Sequence, residues 1–263
     1  MVVNCVAGQP VFLNCSFLHN NGMCLYLDFT TARLTNCVFH GNTSAAGNPT
    51  IELHGGMPVI ANCTITGNTA PSASAAVYLM LEPMVSIKNS ILWGNSPREI
   101  LIASGEPSHL TVSYSNVSGG YTGTGNINAN PLFADVAAHN FDLSSGSPCI
   151  DAADNTAVPA GVTLDILGRP RFVNDPAKPD TGAGSPPIVD MGAYEYQPVI
   201  VLGDMNCSGA LTLADVDPFV LALLDPIEYA EQFPTCNLML ADVNQDEAID
   251  GLDISAFVVA LFD

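Results

Sequence analysis

The chain has 263 residues, a formal net charge of −20 and only 6 Lys+Arg. So few cations exclude a nucleic-acid binder, which must neutralise phosphates, and also exclude charge-driven docking on anionic lipid. No apolar run reaches the roughly 18 residues of a membrane helix, so no membrane span is expected.

The acid is uneven. Residues 201–263 hold 12 Asp/Glu and no Lys or Arg, a net of −12, whereas residues 1–200 hold 14 acids and 6 bases, a net of −8. Met1 is followed by Val-Val-Asn-Cys, with no basic stretch and no signal-peptide core. The chain reads as starting inside a repeat, so any export signal is expected upstream.

Residues 1–123 are repetitive. Asn14-Cys-Ser-Phe-Leu-His-Asn20, Asn36-Cys-Val-Phe-His-Gly-Asn42, Asn62-Cys-Thr-Ile-Thr-Gly-Asn68 and Asn89-Ser-Ile-Leu-Trp-Gly-Asn95 align, with the final Asn recurring after 22, 26 and 27 residues. A weaker fifth copy is Ser115-Asn-Val-Ser-Gly-Gly120. Second apolar runs lie between copies at Cys24–Leu27, Thr50–Leu53, Ala76–Leu81 and Arg98–Ile102. Short β-type runs broken by Gly, Asn and Pro turns suit three strands per coil of a parallel β-helix. Such coils stack Cys15, Cys37 and Cys63 as packed free thiols. Phe17, Phe39, Ile65 and Leu92 form a second inner column, and Asn20, Asn42, Asn68 and Asn95 an asparagine ladder.

The Phe/Ile/Leu-x-x-Asn repeat resembles the right-handed parallel β-helix domains of large secreted bacterial surface proteins, including the polymorphic outer-membrane proteins with their FxxN repeats. The GGA-type repeats of that group are replaced here by Gly47-Asn-Pro-Thr-Ile and Ser74-Ala-Ala-Val. Residues 124–198 then carry Asn130-Pro-Leu-Phe133, Phe141-Asp-Leu-Ser-Ser-Gly-Ser-Pro-Cys-Ile-Asp-Ala-Ala-Asp154, Asp165-Ile-Leu-Gly-Arg-Pro-Arg171 and Val189-Asp-Met-Gly-Ala-Tyr-Glu195. These are similar to the "DPLF…GSPAIDAG…D…G…R…DIGAYE" ending of secreted bacterial β-helix proteins, with Ala153 where that pattern has Gly. We read the segment as a cap closing the last coil. In it Asp151, Asp190 and Glu195 are expected to pair with Arg169 and Arg171; the sharper alternative makes these five a catalytic or sugar-binding cluster.

Some right-handed β-helices are polysaccharide lyases or hydrolases. Fold alone does not decide this. Up to residue 120 the acids are Asp28, Glu52, Glu82, Glu99 and Glu106, and the bases Arg33, Lys88 and Arg98. None repeats at a fixed coil position, and no catalytic residue is assigned. His19 and His40 share a repeat position, which we read as a solvated turn.

Residues 199–263 carry the strongest motif. Loop one runs from Asp204 to Asp215, and loop two from Asp242 to Asp253. Ca²⁺ takes oxygens from positions 1, 3, 5, 7, 9 and 12 of such a loop. Loop one offers Asp204, Asn206, Ser208, the Ala210 carbonyl, Thr212 and Asp215. Loop two offers Asp242, Asn244, Asp246, the Ala248 carbonyl, Asp250 and Asp253. Leu211 and Ile249, at position 8, are expected to join the loops. The 38-residue offset also maps Val216, Phe219, Val220 and Leu223 onto Ile254, Phe257, Val258 and Leu261, one apolar helical face each.

This duplicated loop–helix unit resembles dockerin type I repeats, which have Asp at position 12 and no entering helix. The departures are Ser208 at position 5 and Glu247 at the turn glycine's place. Positions 10 and 11 are Leu213-Ala214 and Gly251-Leu252, not the Ser/Thr pair that meets cohesin in cellulosomal dockerins. A Cys207–Cys236 disulfide is expected to staple this small domain.

The expected whole is mainly β: a right-handed parallel β-helix with a C-terminal cap, plus a small α-helical paired EF-hand domain holding two Ca²⁺. The resemblances imply an extracellular or cell-surface scaffold with a calcium-dependent docking module and a cohesin-like protein partner. The alternative is a secreted polysaccharide lyase or glycoside hydrolase, which makes polysaccharide a second candidate partner.

Overall fold

The computed structural model describes residues 3–44, 48–71, 74–103, 109–175, 178–234, 236–246 and 248–262. Gly47, Glu106 and Glu247 lie outside them. The chain divides into two compact units, Met1–Asn174 with Asp180–Tyr196, and Asp175–Pro179 with Gln197–Asp263. Among the described residues no helix is long and apolar enough to cross a membrane.

The first unit winds five times. The first coil is β1 (Val3–Val6), β2 (Val11–Leu13) and β3 (Ser16–Leu18), and the second β4 (Leu25–Asp28), β5 (Arg33–Thr35) and β6 (Val38–His40). The third is β7 (Ile51–His54), β8 (Val59–Ala61) and β9 (Thr64–Thr66). The fourth is β10 (Val77–Met80), β11 (Met84–Lys88) and β12 (Ile91–Trp93), and the fifth β13 (Ile100–Ile102), β14 (His109–Ser113) and β15 (Asn116–Val117). Each coil gives one strand to each of three five-stranded parallel sheets. Leu25, Leu27, Leu34, Ile51, Leu53, Ile60 and Leu79 fill the interior. The register sets Phe17 beside Phe39, Phe39 beside Ile65, and Ile65 beside Leu92, as the repeat predicts.

The corners show how small polar residues specify a coil. Asn14, Asn36, Asn62 and Asn89 all take φ of 50–54°, a left-handed bend that Asn tolerates better than most residues. The next residue starts a second ladder. Cys37, Cys63, Ser90 and Ser115 each donate to the carbonyl two residues back. The Cys63, Ser90 and Ser115 side chains also accept the amides of Cys37, Cys63 and Ser90 from the coil before. The expected thiol column is therefore real, and it continues in serine. Cys5, Cys15, Cys24, Cys37, Cys63 and Cys149 are free.

The asparagine ladder is also present. The Asn42, Asn68 and Asn95 side-chain oxygens each accept both the backbone and side-chain N–H of the preceding Asn, at 2.8–3.1 Å. Glu99 ends the column by accepting from the backbone and side chain of Asn95.

The cap departs from expectation. It does not simply close the last coil but lies along the outer face of the third sheet. Asn36 donates to the Leu164 carbonyl at 2.8 Å, Asn89 exchanges two bonds with the Asp154 backbone, and Ala193 N donates to Thr64 Oγ1 at 3.0 Å. Gly192 (φ +96°) sits where a Cβ would lie 2.9 Å from Ile91 and Thr64, so only glycine permits this approach. The consequence shows in burial. Strands β4, β7 and β10 alternate between buried and half-buried, whereas β6 and β9 are buried on both faces. Within the cap, β16 (Phe133–Asp135) and β17 (Asn140–Leu143) form an antiparallel hairpin. The left-handed residue in its Ser-Pro-Cys-Ile-Asp stretch is Asp151 (φ 50°), two places before Ala153.

The second unit contains α1 (Val216–Leu224), α2 (Pro226–Gln232) and α3 (Asp253–Phe262). Asp225 caps α2 by accepting from Glu228 N, with Pro226 at the first turn. Phe219 and Phe257, equivalent in the 38-residue offset, stack at 3.9 Å in the centre. Leu211 and Ile249 pack on the same cluster, and Cys207 is bonded to Cys236.

Candidate metal centre

The two loops share the hydrogen bonds made by their carboxylates at positions 1 and 12. The position-12 carboxylates accept from the amides at position 3 (Asn206, 3.0 Å; Asn244, 3.1 Å) and position 9 (Thr212, 2.8 Å; Asp250, 2.9 Å). The position-1 carboxylates of Asp204 and Asp242 accept from the amides of Ser208 and Asp246 at 3.0 and 3.1 Å. Asn206 and Asn244 receive those same amides at 2.9 Å. Cys207 and Gln245, both at position 4, are left-handed (φ 52° and 62°). Non-Gly residues in this region mark loops held by their surroundings.

The loops differ at their ends. Gly209 donates to Asp204 Oδ2 at 2.7 Å in loop one; its counterpart Glu247 lies outside the described residues. Ser208 Oγ donates to the Ala210 carbonyl at 3.1 Å, while Ala248 N donates to Asp246 at 3.0 Å. Thr212 and Asp215 also form a reciprocal capping box ahead of α1.

The side chains at these positions are of the type a hard divalent cation takes. Asp215 and Asp253 are fully buried, and Asp204 and Asp242 nearly so, in a segment with no Lys or Arg. Buried carboxylates are normally paired or bound to metal. The donor set is all oxygen, the choice of Ca²⁺ over Zn²⁺. Loop one brings two carboxylates and loop two four. Their side chains are turned onto loop amides; the one cluster of three His, Cys, Asp or Glu ligand atoms within 4.8 Å among the described residues is His19, His40 and His139.

The polar cluster of the cap is structural. Arg171 and Glu195 are fully buried and paired at 3.4 Å. Arg169 corrects the expected pairing: it binds Asp165 (2.7 Å) and Asp142 (2.6 Å) instead. Asp190 accepts from Asp151 N (2.8 Å) and Tyr196 N (2.6 Å). With Asp151, Asp190, Glu195 and Arg171 buried, no substrate reaches them, so the catalytic or sugar-binding reading of this cluster fails. Burial pushes the Asp190 carboxyl up to about 8 and raises Glu195 well above its usual range.

Sequence reasoning missed one surface group. Glu52 and His54, on one face of β7, bond at 2.6 Å, and His54 Nδ1 lies 3.0 Å from the Tyr26 hydroxyl on β4. His54 follows Glu52 by two, so a strand puts both on one face; Tyr26 comes from another coil. His40 corrects the solvated-turn reading. It is the last residue of β6 and is buried beneath Phe141 of the cap.

Three parallel sheets wound coil upon coil define a parallel β-solenoid. The family model described as "right handed beta helix region" matches residues 2–145, or 144 of the 263 residues. The chain belongs to that right-handed β-helix family. No curated protein and no solved structure matches it.

Proposed function

We propose that this is an extracellular β-helix scaffold whose second unit is a calcium-folded, dockerin-like module that attaches it to a protein partner. The carrying observation is that the two loops share the hydrogen bonds of their position-1 and position-12 carboxylates, all four buried, in a stretch, residues 201–263, without Lys or Arg. The Cys207–Cys236 bond fits an oxidising compartment.

Helices α1 and α3 leave a groove of about 400 Å³ with a wholly apolar wall, including Leu213, Val220, Leu224, Val258 and Phe262. Leu213 and Leu252, at the recognition positions, are 71% and 67% exposed. A partner docking here presents apolar side chains, not the hydroxyl-reading surface of a cellulosomal cohesin. The test is gel filtration of the full chain with a panel of cohesin-like domains, in Ca²⁺ and in EDTA. A complex that forms only with Ca²⁺ and is lost in Leu224→Asp supports the reading; one indifferent to both contradicts it.

The second reading, a polysaccharide-associated β-helix, is favoured by the Tyr26–His54–Glu52 cluster. An aromatic hydroxyl beside a carboxylate–imidazole pair offers donors and acceptors to a sugar.

A further inference from the structure

We propose a second metal site, of different chemistry, where the cap meets the β-helix: His19, His40 and His139 form a three-imidazole site for a borderline-soft divalent ion such as Zn²⁺. His19 directly follows β3, His40 ends β6 in the next coil, and His139 is in the turn between β16 and β17. Their ligand nitrogens all lie within 4.8 Å of one another. The ring centroids are 4.5 Å apart for His19 and His139, and 5.3 Å for each with His40.

The site is built. His40 Nδ1 lies 3.0 Å from the Thr66 carbonyl. A carbonyl only accepts, so Nδ1 carries the proton and Nε2 keeps its lone pair for a metal. Fixing the tautomer through a backbone carbonyl is the usual support for a metal-bound His. Glycines make room. A Cβ on Gly41 would lie 2.6 Å from His19 Nδ1, and one on Gly67 3.1 Å from the His40 ring. His19 (φ 51°) and His139 (φ 59°) are both left-handed, and His139 N bonds the Val136 carbonyl at 3.1 Å across its turn.

Tetrahedral Zn²⁺ with bonds of about 2.0–2.1 Å holds its nitrogens about 3.4 Å apart. The two outer rings are exposed, so small rotations close that gap. Three imidazoles leave the fourth position to water. The ion ties the cap hairpin to the first two coils. Nitrogen ligands do not select Ca²⁺, which keeps this site apart from the acidic loops.

The test is Zn²⁺ titration of the full chain in excess Ca²⁺, followed by calorimetry and by the melting temperature, with Co²⁺ as a spectroscopic substitute. His19→Asn and His139→Asn are the variants, because Asn keeps the left-handed backbone and both side chains are exposed. The expected result is one Zn²⁺ per chain and a raised melting temperature. Each variant should bind more than about 100-fold more weakly. Co²⁺ should give tetrahedral visible bands without the near-ultraviolet charge transfer of a thiolate. Equal Zn²⁺ affinity in His139→Asn, or thiolate bands with Co²⁺, would overturn the proposal.

Discussion

At the scale of single residues, this solenoid is specified by small polar side chains in columns. Asn68 accepts from the backbone and side chain of Asn42, and donates to the Phe39 carbonyl at 2.9 Å and to Asn95 at 2.8 Å. Asn68→Ala would strand the Asn42 amide groups and the Phe39 carbonyl in the interior. Each unsatisfied buried group costs about 1–3 kcal/mol, and partial relaxation should bring the loss to about 2–4 kcal/mol. Urea unfolding of the first unit measures it; a loss below about 0.5 kcal/mol would mean the ladder is decorative. This ladder was legible because its Asn recurs at the end of every copy. The left-handed Asn14, Asn36, Asn62 and Asn89 were in plain view in the same copies. Their role was not, because the residue after each drew the reading towards packed thiols, whereas the hydrogen bonds accepted by Cys63, Ser90 and Ser115 keep that column.

Among the elements, the strands of the coils followed from alternation and turn residues, and the loop–helix pairs from ligand spacing. Where the cap goes could not be read. Its contacts, Thr64 to Ala193 and Asn89 to Asp154, join residues far apart in sequence, and local patterns carry no information about them. The grouping of the three histidines is hidden for the same reason: His19 and His40 share a repeat position, but His139 comes from the cap. The docked cap also buries carboxyls, which sets a pH dependence. Burial raises Asp190 from 3.8 to about 8, and Glu195 moves the same way. Between those values the native cap binds more protons than the unfolded chain, so stability is lost as pH rises. The Asp190 contribution is complete below about pH 4 and gone above about pH 8, and that of Glu195 is lost in the same direction. Amides of residues 189–196 should therefore exchange with solvent more readily at pH 8.5 than at pH 5, after correction for intrinsic rates. Equal or greater protection at pH 8.5 would show that Asp190 and Glu195 are ionised throughout.

For the molecule as a whole, the two units divide the labour. The β-helix draws its stability from apolar columns and ladders repeated over five coils. The second unit has a small core around Phe219 and Phe257, one disulfide and a surplus of acid. Coordination of a cation by its loops would offset that repulsion and make folding of the unit depend on metal. The measurement that tests this most directly is calorimetric titration of Ca²⁺ into the full chain, with circular dichroism before and after. The account predicts two sites and a gain of helix. Loop two, with four carboxylates against two, should bind more tightly, and Asp215→Asn and Asp253→Asn should each abolish one binding event. No heat and no spectral change would contradict it, leaving the acidic loops as caps for α1 and α3 and the β-helix as the seat of function.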